Sequence, residues 1–171
     1  MKPLITILAS ILLFLGCSQG VPPAVEKSVS IEAKTYLEYF VDGNYEKTVD
    51  LMDPRLSERE GFTEDERSQV KALVLSRVKE ASREMNFISV SVGKPLKYIR
   101  SDKAEHVIIP YKAHFKYNGK AGIIYSHLLA TRYFDGEVWY FCDFSTPKKD
   151  ILKKHYPFLS GDIPDPRVEM E

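Results

Sequence analysis

The chain has 171 residues, equal numbers of basic and acidic side chains for a formal net charge of +0, and is 44% hydrophobic, 28% charged and 12% aromatic. That length suffices for one domain with a substantial core, and the composition is that of a globular protein. The neutral balance argues against a nucleic-acid binder working by bulk electrostatics, and neither a P-loop nor a dinucleotide fingerprint is present.

Met1–Gly16 reads as a signal segment outside the fold. Lys2 gives a short positive start, and Leu4–Leu15 is an apolar run of about a dozen residues, right for a signal h-region and short for a membrane span. The run ends in Phe14-Leu15-Gly16-Cys17, which resembles the end of a bacterial lipoprotein signal peptide. Gly16 and Cys17 fit that pattern, whereas Phe14 stands where Leu is usual and Leu15 where a small residue is usual. The resemblance implies cleavage before Cys17, lipidation of Cys17 and attachment to a membrane through that lipid. Acyl chains contribute about 0.8 kcal/mol per buried CH₂, so several on one cysteine hold a protein firmly. Ser18 in place of Asp implies, by the same resemblance, the outer membrane of a bacterial envelope, with the domain facing the periplasm. An ordinary secretory signal and an uncleaved anchor are the alternatives. Residues 17–27 then form a tether, because Gly20 and Pro22-Pro23 disfavour helix and sheet.

The spacing predicts a first helix from Ser28 or Ser30 to Asp42, ended by Gly43, with Val29, Ala33, Tyr36, Leu37, Phe40 and Val41 on its apolar stripe. Asn44 caps a short second helix, Tyr45–Met52, stopped by Asp53-Pro54. Thr63 and Glu66 form a capping box that opens a third helix. Its apolar side is Val70, Leu73, Val74, Val78, Ala81 and Met85, and its charged side reads as a solvated face.

Strands follow. Phe87–Val92 alternates, Gly93-Lys94-Pro95 bends the chain, and Leu96–Arg100 continues it. From Glu105 to Phe144 the pattern is three antiparallel strands joined at Asn118-Gly119 and Asp135-Gly136, dipeptides suited to type I′ turns. Pairing Tyr117 with Lys120 and Phe134 with Glu137 fixes the register. One face then carries Val107, Ile109, Tyr111, Phe115, Ile124, Leu128, Phe134, Trp139 and Phe141. The other carries Ile108, Ile123, Tyr125, His127, Leu129, Tyr133, Val138, Tyr140, Cys142 and Phe144. Both faces are apolar, so both need cover: helices on one, and on the other a partner, a second copy or the C-terminal segment. Pro110 marks a local edge or a bulge. A short helix after Ser145-Thr146-Pro147 closes the domain (residues 28–159), and residues 160–171 read as a loose acidic tail.

Helices followed by an antiparallel meander define an α+β fold. From about Ser28 to Ser145 the chain resembles the nuclear transport factor 2-like (cystatin-like) superfamily. The resemblance rests on Tyr39-Phe40-Val41-Asp42-Gly43-Asn44-Tyr45-Glu46-Lys47 at the helix junction and Asp135-Gly136-Glu137-Val138-Trp139 at the last hairpin. It implies a cone-shaped domain whose N-terminal helices pack on a curved sheet. It also implies a pocket between helices and sheet, lined here by Tyr36, Phe40, Tyr111, Leu128, Arg132, Trp139, Phe141 and Asp143, and frequent dimerisation through the other face, by Tyr125, His127, Tyr133 and Tyr140.

The register sets Asp143 on the face of Trp139 and Phe141, where an apolar setting raises a carboxyl pKa and suits it to proton transfer. Isomerases of the superfamily use a pocket Asp, which would give Asp143 such a role with Arg132, Tyr36 or Tyr39 beside it; no motif of theirs aligns residue by residue. The plainer reading has Asp143 at the sheet rim, paired with Lys148 or Arg132. His106, His114, His127 and His155 lack metal-ligand spacing, so no metal and no cofactor are expected. Once Cys17 is lipidated, Cys142 is left without an intramolecular partner and reads as buried and inert. Lys148, Lys149, Lys153 and Lys154 fit a solvated amphipathic helix. The leading expectation is a non-catalytic, membrane-tethered envelope protein that binds a protein partner or small apolar ligand. The alternatives are an isomerase- or hydratase-like enzyme built on Asp143, and a structural homodimer without ligand.

Overall fold

A computed structural model describes residues 20–56, 63–144, 156, 157, 159 and 163–170. The signal segment with Cys17, the closing helix after Ser145 and the lysines upon it lie outside the described residues. Three helices precede six strands: α1 (Pro23–Val41), α2 (Tyr45–Asp50), α3 (Glu64–Glu84), β1 (Met85–Val92), β2 (Lys97–Arg100), β3 (Ala104–Tyr117), β4 (Lys120–Tyr133), β5 (Tyr140–Asp143) and β6 (Arg167–Met170). All pairings are antiparallel, in the order β1-β3-β4-β5, with β2 extending β1's edge of β3 and β6 extending β5's edge of β4. The α+β class with N-terminal helices on an open antiparallel sheet is as the sequence pattern predicts. No described helix is long and apolar enough to cross a membrane.

The helix α1 begins at Pro23, ahead of both serines proposed as caps, so the prolines open the helix instead of extending the tether. Pro suits a first helical position, where its missing N–H has no intrahelical partner to lose. Ser28 lies inside and returns its hydroxyl to the Val25 carbonyl at 3.2 Å. The end is as predicted: Asp42 caps and Gly43 turns left-handed at φ 73°. Val29, Ala33, Tyr36 and Leu37 are buried beneath it.

The capping box of α3 is present, with the Thr63 side chain accepting from the Glu66 N–H and Glu66 accepting from the Thr63 N–H. Its apolar side is not core. Leu73 is 55% exposed and Val70, Val74 and Val78 are half-buried. The reason is position: α3 packs on α2 and β1, not on the central strands, and exposed lysines tie it to Asp50 and Glu46 of α2.

The β3–β4 hairpin follows the predicted register from Tyr117↔Lys120 to Ala104↔Tyr133. Its turn has Asn118 and Gly119 at φ 49° and 78°, the two positive values a type I′ turn requires. Pro110 sits where β1 gives way to β2 along one edge of β3. Its carbonyl accepts the Gly93 N–H at 2.8 Å, so its missing donor faces a junction between strands and costs no ladder bond.

The second reversal differs from prediction. Gly136 donates its N–H to the Tyr133 carbonyl at 3.1 Å; the tight turn is therefore Tyr133–Gly136, with Phe134-Asp135 central and Gly136 outside the left-handed region. Pairing still keeps the predicted register from Thr131↔Tyr140 to Leu128↔Asp143. Because the ladder stops there, Phe134 and Val138 leave the faces assigned to them and lie exposed, with Arg100 5.0 Å from the Phe134 ring centroid.

The tail is not wholly loose. Arg167–Met170 pairs with β4 from Tyr125 to Gly122. β5 covers β4 only over 128–131, and the free backbone groups beyond it are met by the last strand. Gly122 allows the close approach, since a Cβ there would lie 2.6 Å from Phe115 Cζ and 2.9 Å from Met170 Sδ.

Two cores result. Under α1, Val107, Ile109, Tyr111, Ala113, Leu128, Ala130, Trp139 and Phe141 are buried. On the second face, Ile108, Leu129, Cys142 and Phe144 are buried against Tyr156 and Leu159, so the chain's own C-terminal segment supplies cover there.

Candidate functional site

On the helix face Asp143 ends β5 and is partly exposed. The Tyr111 hydroxyl donates to its Oδ2 at 2.8 Å, and the Ser126 hydroxyl to its Oδ1 at 3.4 Å. The register explains the convergence: Tyr111 pairs with Ser126 across β3–β4, and Asp143 pairs with Leu128 next along the same face. Tyr36 reaches the same place from α1, its ring stacked on Phe141 with centroids 4.8 Å apart. Burial first, then the negative field of Asp143, pushes the Tyr36 hydroxyl far above its ordinary pKa. Cys142 is buried and its thiol is pushed up by burial, then by Asp143 and Asp53. A thiol so held is no nucleophile.

Of the residues expected to line one pocket, Tyr36, Tyr111 and Asp143 come together. Leu128 and Phe141 lie fully buried behind them as packed floor. Phe40 is at the other end of α1's contact, edge-on to Phe87 at 4.9 Å and to Tyr45 at 5.8 Å. Tyr39 carries Lys47 over its ring at 4.9 Å. Arg132 pairs with Glu105 at 2.6 Å rather than with Asp143, and its guanidinium lies 4.7 Å from the Trp139 ring centroid. Tyr98 also donates to Glu105, at 3.0 Å. Trp139 is fully buried, and its backbone N–H meets Glu32 of α1 at 3.4 Å. Arg132 and Trp139 thus belong to a closed charge-and-aromatic cluster away from Asp143.

Of the four residues expected on a second-face interface, Tyr133 and Tyr140 meet ring to ring, while Tyr125 and His127 have other surroundings. Tyr125 lies between two cations, Lys112 at 5.2 Å and Arg167 at 4.5 Å from its ring centroid. His127 is half-buried, and burial lowers its pKa. The Tyr140 ring tilts against Tyr133 at 6.0 Å, and Tyr133 turns inward to Asp53.

That inward turn leads to a polar cluster the sequence did not announce. Asp53 is 1% exposed. Its carboxylate accepts the Tyr156 hydroxyl at 2.5 Å, the Tyr133 hydroxyl at 2.8 Å and the Arg55 backbone N–H at 3.0 Å. The Arg55 side chain donates to the Tyr133 hydroxyl and lies against the rings of Tyr133 and Tyr156. Backbone bonds hold Asp53 in place: its N–H donates to the Phe141 carbonyl at 3.0 Å, and Phe141 donates to Leu51 at 2.7 Å. His106, fully buried beside Tyr156, meets Thr131 Oγ1 at 3.1 Å and Ser101 Oγ at 3.4 Å. Burial, then the Arg55 charge, lowers its pKa to about 4, with Asp53 opposing in part. This cluster joins α2, the sheet and the C-terminal segment. With its carboxylate buried and its hydroxyls engaged, its geometry suits support of the fold.

Among the described residues no group of three or more His, Cys, Asp or Glu is placed to hold a metal. No family model, curated protein or solved structure matches the chain.

Proposed function

We propose that this chain is a lipid-anchored protein of the bacterial envelope, held by Cys17 at the outer membrane facing the periplasm. Its α+β domain is a nuclear transport factor 2-like cone that binds a small apolar ligand or a partner's apolar segment without catalysing a reaction. The observation that carries the binding reading is on the helix face. Beyond the end of β5 the buried core gives way to half-buried Ile124 and exposed Val168 and Met170, with Asp143 at the boundary. A contiguous apolar surface open to solvent beside a packed core is what a ligand or partner covers. The signal-like start supplies the anchor, and the order of helices before a long central hairpin supports the cone.

Two measurements test this. Native mass spectrometry of the protein purified from its host should find an apolar species bound in near-stoichiometric amount; a clean apo mass after gentle isolation argues against the binding reading. Cys17→Ala should move the protein from the membrane pellet to the soluble fraction, and unchanged membrane retention would remove the lipid anchor.

A second reading is favoured by the 2.8 Å bond between Tyr111 and Asp143. A carboxylate oriented by a tyrosine hydroxyl suits proton abstraction next to a carbonyl, as an isomerase or hydratase requires. Asp143-dependent deuterium exchange into ketone probes would support it, and exchange no faster than in buffer would end it.

A further inference from the structure

The second face of the sheet is covered at one end. Tyr156 and Leu159 pack there on Ile108, Leu129, Cys142 and Phe144. Toward the Asn118-Gly119 turn the same face is open. Lys112, His114 and Lys116 alternate along β3, and their partners across the ladder in β1 are Ser91, Ser89 and Asn86. Directly paired residues share a face, and all six are exposed. The register shift between Phe87 and Ser89 gives β1 one extra residue, which keeps Asn86 on the face of the two serines. Two ammoniums with an imidazole between them thus run beside a row of neutral hydroxyl and amide groups. Among the described residues no carboxylate pairs with Lys112, His114 or Lys116, and the acid of β6, Glu169, is bonded to Arg167 at 3.1 Å. In a chain of formal net charge +0, this strip is a local excess of positive charge.

We propose that the strip docks an extended acidic segment of a protein partner, with carboxylates at alternate positions facing Lys112, His114 and Lys116. Alternate residues of a strand lie about 6.8 Å apart, and an extended peptide laid along β3 repeats its side chains at the same spacing. Ser91, Ser89 and Asn86 lie about 4.8 Å to the side, one strand spacing away, and offer donors and acceptors to the peptide backbone. The Lys112 ammonium is 5.2 Å from the Tyr125 ring centroid, and Arg167 is 4.5 Å from it. That contact restrains the lysine before a partner arrives and lowers the entropy lost on binding. Exposed ion pairs are individually weak, so the contact is transient and salt-dependent. The strip is separate from the apolar surface of the helix face, and the two readings stand or fall apart.

Other polyanions fit less well. The end of α1 lies behind the strip, since Phe40 packs on Phe87 at 4.9 Å and Phe87 pairs with Phe115, the neighbour of Lys116. Pro23 is about 25 Å back along the helix. An anchor joined to Pro23 therefore enters at the far end and on the opposite face, which turns the strip away from a bilayer. A single-stranded nucleic acid needs rings on which bases stack, and Tyr125 is already engaged by two cations.

The experiment is fluorescence anisotropy of three labelled peptides titrated with the purified full chain. They are Gly-Glu-Gly-Glu-Gly-Glu-Gly, the equally charged Gly-Gly-Glu-Glu-Glu-Gly-Gly, and the first with glutamine for glutamate. The alternating peptide should bind at least about threefold more tightly than the contiguous one, and the glutamine peptide should not bind. Raising salt from about 50 to about 300 mM should weaken the alternating peptide at least about fivefold. Lys112→Glu with Lys116→Glu should weaken it at least about tenfold. Lys27→Glu with Lys34→Glu makes the same change of net charge at exposed positions of α1 and should leave it within about twofold. The peptide series on the parent chain does not depend on any variant folding. Equal binding of the two glutamate peptides, equal losses in the two double variants, or no binding of the alternating peptide would overturn the proposal. Heparin held more tightly than the peptide by the same two lysines would overturn it in favour of a sulfated glycan. Retention on phosphatidylglycerol vesicles that Lys112→Glu with Lys116→Glu abolishes would overturn it in favour of a membrane surface.

Discussion

The Tyr156 hydroxyl donates to the Asp53 carboxylate at 2.5 Å across 103 positions of sequence. One end of this bond follows α2 and the other lies in the C-terminal segment, so it fastens the cover of the second face to the body of the domain. Both partners are almost wholly buried. Tyr156→Phe keeps the ring against His106 and removes only the donor. A buried acceptor left without its partner costs about 1–3 kcal/mol, and urea unfolding should show that loss as a lower midpoint at unchanged slope. A variant as stable as the parent would show that the bond carries no net stabilisation.

His106 makes stability depend on pH. Its folded pKa is about 4, against an ordinary value of 6.5, because the imidazole is buried and faces the Arg55 charge. In the unfolded chain it takes its proton first as pH falls. The stabilisation is therefore fully present above about pH 6.5 and is lost as pH drops from there toward 4. The drop in urea midpoint between pH 7.5 and 5 should be smaller in His106→Gln than in the parent. Comparing the two removes the contribution of the carboxylates, and equal drops would assign the acid sensitivity to them.

Much of the sheet was legible because its signals are local. Asn118-Gly119 fixes one register, strict alternation fixes the faces, and Tyr111, Leu128 and Phe141 fall where those two facts put them. The convergence of Tyr111 on Asp143 follows from the same register. The Asp53 cluster had no such signal. Asp53-Pro54 reads as the end of a helix, and nothing near it in sequence says that Tyr133 and Tyr156 will meet it. The strand β6 was hidden for another reason: Arg167-Val168-Glu169-Met170 is short and charged, follows two prolines, and becomes a strand only because β5 leaves part of the β4 edge unpaired. The α3 stripe misled in the opposite direction. Its spacing is helical, yet spacing does not say what the helix packs against.

Gly122 is where the edge strand is most sensitive to a side chain. An added Cβ would lie 2.6 Å from Phe115 Cζ, a buried ring, and 2.9 Å from Met170 Sδ, the end of a flexible side chain. The methionine can move and the ring is confined. Gly122→Ala should therefore cost about 1–3 kcal/mol through overpacking. It should also speed amide exchange at Val168 and Met170 more than in β5. Uniform faster exchange in both strands would mean that the substitution acts on global stability alone.

The two hairpin glycines look alike in sequence and differ in what they do. Gly119 is at φ 78° beside Asn118 at 49°, and a Cβ on it would meet nothing within 4 Å. Any cost of Gly119→Ala is then conformational, about 1–2 kcal/mol for placing an L-residue in the left-handed region. Gly136 lies outside that region, and its nearest contact to an added Cβ would be the Tyr133 carbonyl oxygen at 4.0 Å, an ordinary separation. Gly136→Ala should stay within about 0.5 kcal/mol of the parent and can be stabilising, because alanine restricts the unfolded chain more than glycine does. Chemical denaturation of the two variants side by side decides the point. Equal large losses would mean that Gly136 also adopts positive φ and that the second reversal is the Asp-Gly turn its sequence advertises. Unequal losses would mean that pairing across Ala130↔Phe141 and Leu128↔Asp143, with packing beneath α1, holds the β4–β5 register without help from its turn.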